Sequence, residues 1–82
     1  MAKAVATVKR PIYEIARDIK NEWRNVFYGA VPYLDAMLEL TDSSSKYGAD
    51  DAKGILLYFL SNAGTFRGGN AATLKTELKS YL

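Results

Sequence analysis

Pro11-Ile12-Tyr13-Glu14-Ile15-Ala16-Arg17-Asp18-Ile19-Lys20-Asn21-Glu22-Trp23-Arg24-Asn25-Val26-Phe27 is the stretch that decides the fold class. Its apolar residues Ile12, Ile15, Ala16, Ile19, Trp23, Val26 and Phe27 recur at the spacing that places them on one face of an α-helix. Pro11 suits the first helical position, where the N–H it lacks would have no intrahelical acceptor. Glu14, Arg17, Asp18, Lys20, Glu22 and Arg24 fill the other face with balanced charge, as a solvated surface requires. On this spacing Trp23 and Phe27 both belong to the core.

Three further helices follow outward from this one. Gly29 and Pro32 break the first pattern, and a second helix is predicted from about Pro32 to Leu40, with Tyr33, Leu34, Met37, Leu38 and Leu40 apolar. Thr41–Asp50, with Ser43-Ser44-Ser45 and Gly48, reads as a polar loop. Asp50 is the expected N-cap of a third helix carrying Ala52, Ile55, Leu56, Phe59, Leu60 and Ala63 on one side. Leu57 and Tyr58 add apolar surface on its opposite side, so this helix is central or covered by a partner. Gly54 inside it permits close approach of a neighbouring helix, and Gly64 is its natural stop. Asn70 is the expected cap of a fourth helix bearing Ala71, Leu74, Leu78, Tyr81 and Leu82. The expected fold class is therefore all-α: a compact bundle of about four helices over residues 11–82, with a short N-terminal arm over residues 1–10.

Size and composition constrain the class of function. A chain of 82 residues forms one domain with a small margin of stability, so self-association as a homo-oligomer stays open as one way to add to it. There are no cysteines and no histidines, which removes thiol nucleophiles, zinc thiolate sites and the commonest general base at neutral pH. No enzyme activity, no cofactor and no metal site is expected. The carboxylate pairs Glu14/Asp18, Asp18/Glu22 and Asp35/Glu39 read as solvated helix faces. Asp42–Asp51 fails as a calcium loop, because an EF-hand pattern begun at Asp42 meets Lys46, Tyr47 and Lys53 where a ligand, a glycine and a glutamate belong. No run is apolar enough to cross a membrane and Met1–Val8 lacks the block of a secretion signal, so no membrane association and a cytoplasmic location are expected.

Binding candidates remain. Gly64-Thr65-Phe66-Arg67-Gly68-Gly69-Asn70 is a glycine-rich turn that feeds a helix N-terminus, where backbone N–H groups can meet an anion. Arg67, Gly68, Gly69, Asn70 and Lys75 form the candidate phosphate set, against the alternative that the glycines only allow the chain to turn. It is neither a P-loop nor a dinucleotide fingerprint, since no strand precedes it. Leu57, Tyr58, Tyr28 and Tyr33 form the candidate partner interface, since exposed tyrosines are common at protein contacts. Charge is uneven. Lys3, Lys9 and Arg10 make one end basic, and Arg67, Lys75 and Lys79 outweigh Glu77 at the other. Asp35, Glu39, Asp42, Asp50 and Asp51 outweigh Lys46 in the middle. Two faces of opposite sign favour a charged partner or head-to-tail self-association.

Two pairs of runs resemble a known group. Arg10-Pro11-Ile12-Tyr13-Glu14-Ile15-Ala16 with Val31-Pro32-Tyr33-Leu34-Asp35-Ala36-Met37 is one pair. Leu57-Tyr58-Phe59-Leu60-Ser61-Asn62-Ala63 with Thr65-Phe66-Arg67-Gly68 is the other. Over about residues 10–80 they resemble small proteins of unknown function from tailed bacteriophages and prophages. The resemblance brings no activity or site residue. It implies a viral accessory protein in the cytoplasm of a bacterial host that binds a host protein, with inhibition of a defence system as one instance. The alternative is a nucleic-acid or nucleotide-phosphate binding module, including a sponge for a signalling nucleotide, built on the Arg67–Asn70 turn.

Overall fold

The computed structural model describes residues 9–82. Of the expected N-terminal arm, residues 1–8 lie outside the described residues. The elements are α1 (Ile12–Glu22), α2 (Val31–Met37), β1 (Lys46–Tyr47), β2 (Asp50–Asp51), α3 (Ala52–Ser61) and α4 (Ala71–Lys79).

Helix α1 begins one residue after the proline. Pro11, extended at ψ 150°, is its N-cap rather than its first turn. The amides of Ile12 and Tyr13, which have no acceptor within the helix, donate to the carbonyls of Thr41 and Leu40 at 2.9 Å each. The start of α1 is thus sealed by the chain that leaves α2. Ile12, Ile15, Ala16 and Ile19 are buried, as the periodicity predicts.

The helix does not reach Phe27. It ends at Glu22, with Trp23 as an extended C-cap whose N–H still bonds the Ile19 carbonyl at 2.8 Å. Leaving the helix there lets the indole stack on Phe66, with centroids 5.2 Å apart and planes 22° apart, and meet Phe59 edge-on at 6.1 Å. Past Trp23 the chain makes turn bonds, Ala30 N–H to Phe27 carbonyl and Val31 N–H to Tyr28 carbonyl. Trp23 is core, but Phe27, expected there with it, is 40% exposed and lies outside the bundle interior. Packing of one large ring outweighs local period here.

Helix α2 is shorter than the expected span. Its apolar pattern runs on through Leu40, but Glu39 and Leu40 bond the carbonyls of Ala36 and Met37 in tighter turns. Those turns deliver Leu40, fully buried, into the core.

The expected all-α class needs one correction. The polar loop holds a two-residue antiparallel ladder, Lys46 opposite Asp51 and Tyr47 opposite Asp50, closed through Gly48 at φ 63°. The protein is mostly helical with four helices and this minimal sheet. The ladder claims Asp50, so the cap of α3 falls to Asp51, whose carboxylate accepts the Gly54 N–H at 2.8 Å. Gly54 serves that cap rather than a helix crossing: a Cβ there would lie 3.0 Å from Asp51 Oδ1. The stop expected at Gly64 is also displaced, because α3 ends at Ser61 with Asn62 as its C-cap, and the left-handed glycines of the next connection are Gly68 and Gly69.

In the packing, α2 lies along α3 and α1 along α4, with α1 and α2 joining the two pairs. Ile12, Ile15, Ile19, Met37, Leu40, Leu56, Phe59 and Leu78 are the largest fully buried side chains. Among the described residues no helix is long and apolar enough to cross a membrane.

Candidate functional site

The Arg67–Asn70 turn is divided between two environments. Gly68 (φ 82°) and Gly69 (φ 49°) take the left-handed conformation that glycine adopts without penalty. They swing Asn70 onto the end of α1. There the Asn70 N–H donates to Glu22 Oε1 at 3.2 Å and its side-chain amide donates to Glu22 Oε2 at 3.0 Å. The N-terminus of α4 therefore already holds an anion, the chain's own carboxylate. Gly69 is needed twice, since a Cβ would also sit 3.3 Å from Glu22 Oε1.

Arg67, Gly68 and Lys75 face elsewhere. With Phe66, Ala71, Ala72, Thr76 and Lys79 they line an open groove of about 330 Å³ along the outer face of α4. Lys75 and Lys79 are one turn apart, and Lys75 Nζ lies 5.8 Å over the Phe66 ring. Lys79 and Phe66 complete this set. Phe66 carries no helical period and had no signal in the sequence beyond its place beside Arg67.

The interface candidates meet on the other pair of helices. Tyr33 of α2 stacks on Tyr58 of α3, with centroids 5.5 Å apart and planes 18° apart. Asn62, one turn further along α3, donates to the Tyr58 carbonyl. A Cβ added to Gly29 would meet Phe27 Cε2 at 2.7 Å and Asn62 Oδ1 at 2.8 Å, so the Phe27 ring closes against that same end of α3. Tyr28 packs on Phe27 at 4.8 Å. Tyr33 and Tyr58 thus form a strip across α2 and α3, with the Phe27–Tyr28 pair toward its Asn62 end and Leu57 next to Tyr58 in the chain. Leu57 is 55% exposed, Tyr58 61% and Tyr28 82%. At its far end Asp50, Asp51, Gly54 and Ile55 join Tyr33 and Tyr58 around a cleft of about 340 Å³. The role of Asp50 and Asp51 in that cleft was legible only as the acidic bias of the middle of the chain.

The remaining carboxylates of α1 serve structure. Arg10 forks onto Glu77 at 2.9 and 2.7 Å, reaches Asp18 at 2.7 Å and lies 3.6 Å from Glu14. Glu77, then Asp18, hold the guanidinium further above its already high ordinary pKa. Next to this node the Tyr81 hydroxyl donates to the Arg10 carbonyl, and burial pushes that phenol up. In the polar loop Asp42 accepts from the hydroxyl and the N–H of Ser44, which holds its carboxyl below the usual range. Among the described residues no cluster of acidic side chains is arranged to hold a metal ion.

No protein-family model matches the chain, and no curated protein or solved structure matches it either.

Proposed function

We propose that this chain works by binding another protein through the α2–α3 strip, with no chemistry of its own. The observation that carries the reading is the stacked Tyr33–Tyr58 pair, in which half-buried Tyr33 backs exposed Tyr58, with exposed Leu57 next to it in the chain and Asp50 and Asp51 flanking. Stacking restrains both rings before contact, so less side-chain entropy is lost on binding. Aromatic residues in such positions carry much of the energy of protein contacts. The two aspartates favour a partner that offers a basic side chain next to an apolar one. The resemblance to small phage proteins makes a bacterial host protein the partner class, and inhibition of a defence system the specific role within it.

Light scattering and a variant pair test this. The purified chain is expected to be monomeric. Wild-type protein should retain a host protein that the double variant Leu57→Glu/Tyr58→Glu does not, while both proteins keep the same helical circular dichroism. A stable symmetric oligomer that buries Tyr58, or equal retention by both proteins, would overturn the reading.

A further inference from the structure

The geometry points to a second binding site, independent of the α2–α3 strip: the groove on the outer face of α4 receives phosphate groups through Arg67, Lys75 and Lys79. All ion pairs among the described residues converge on Arg10, so none of these three cations has a carboxylate partner. The acids at the two neighbouring places, Glu77 on α4 and Glu22 at the turn, are committed elsewhere, to Arg10 and to Asn70. No acidic side chain lines the groove. Three uncompensated cations around one concavity repel one another and raise the local potential, and an anion that bridges them relieves both effects. Lys75 and Lys79 stand about 6 Å apart along the helix axis. Arg67 supplies a planar fork that matches phosphate oxygens. The floor of Ala71 and Ala72 leaves room for the ligand beside the cations.

Glu22 separates this site from the helix N-terminus. Because that carboxylate already takes the Asn70 N–H at the cap of α4, phosphate is taken by side chains on the flank and not by the turn's backbone. The chemistry recognised is the phosphate oxygen, carried either by a small phosphate ester or by a nucleic-acid strand.

Amide NMR of the full chain tests the site with sodium pyrophosphate, a short deoxythymidine oligonucleotide and hexaglutamate as probes. Pyrophosphate is expected to shift the amides of Ala71, Ala72, Lys75, Thr76 and Lys79 saturably. Lys75→Glu/Lys79→Glu should weaken this at least about tenfold, and Arg67→Ala by a few-fold, with the rest of each spectrum unchanged. Tighter oligonucleotide binding, with a log–log salt slope of about −2 for three phosphates, assigns the strand as the source. Oligonucleotide binding no tighter than pyrophosphate assigns a small ester. No shift at these amides, undiminished shifts in the double variant, or hexaglutamate binding as tightly as either phosphate probe overturns the proposal.

Discussion

Replacing Arg10 by Met should cost the fold about 2 kcal/mol. The guanidinium makes three short charged hydrogen bonds, two to Glu77 and one to Asp18, and approaches Glu14. These side chains are between 31% and 46% exposed, so water screens part of the attraction. An exposed pair is worth about 0.2–1 kcal/mol and a bond to a charged group about 1.5–3, so three bonds of a half-buried cluster, each near the exposed-pair value, sum to about 2 kcal/mol. Met keeps much of the apolar stem but leaves Glu77, Asp18 and Glu14 gathered without a cation. The domain's whole stability is on the order of 4–12 kcal/mol, and in a chain of this size each kcal/mol moves the Tm by about 4–8 °C. Arg10→Met should therefore lower the midpoint by roughly 10 °C at low salt, and by less at high salt. The raised guanidinium pKa adds stability while its carboxylate partners are charged and loses it as pH rises through the folded arginine value, so this contribution is flat across neutral pH. A thermal and urea double-mutant cycle with Glu77→Gln should show coupling of about 1 kcal/mol. A loss under about 0.5 kcal/mol with no coupling refutes the account: the Tyr81 bond to the Arg10 backbone would then be what joins residue 10 to α4.

Phe66→Ala removes the stacked partner of Trp23 and should cost about 3–5 kcal/mol, seen as a large fall in Tm and loss of near-ultraviolet dichroism; a midpoint within a few degrees of wild type would contradict the packing. Gly69→Ala should destabilise by about 1 kcal/mol or more, from its positive φ and the contact with Glu22, whereas Gly64→Ala, with open space around its Cβ, should be neutral or stabilising. Equal effects at the two glycines on urea denaturation would remove the distinction. The Tyr81 phenol is raised by burial first, then by Asp42 and Glu77. Its folded pKa exceeds its unfolded one, so its contribution is complete below the ordinary phenol range and is lost as pH rises through the folded value. Ultraviolet titration should show one late phenol that disappears in Tyr81→Phe.

The helices were legible in sequence because burying an apolar face imposes a period, and Ile12, Ile15, Ala16 and Ile19 keep it. The α3 residues Leu57 and Tyr58 were legible as surplus for the same reason: an apolar residue off the buried face stays largely exposed, Tyr58 even with Tyr33 stacked on it. Boundaries were less so. Where α1 ends depends on Trp23 reaching Phe66, a partner far along the chain, and where α3 begins depends on a ladder that takes Asp50.

By itself, then, the sequence determined four amphipathic helices, the absence of histidine and cysteine chemistry, and the uneven charge. Tertiary structure alone decided which charges remain available. Glu22 and Asn70 are 48 residues apart, and Arg10 and Glu77 are 67 apart. Pairing over such distances follows from the packing of α1 against α4, which no local pattern encodes. That packing fills the helix N-terminus that the glycine turn offered, and it leaves Arg67, Lys75 and Lys79 facing outward. The physical reason is that periodicity records only which side of an element is buried, whereas the partner of a charge is set by which elements meet.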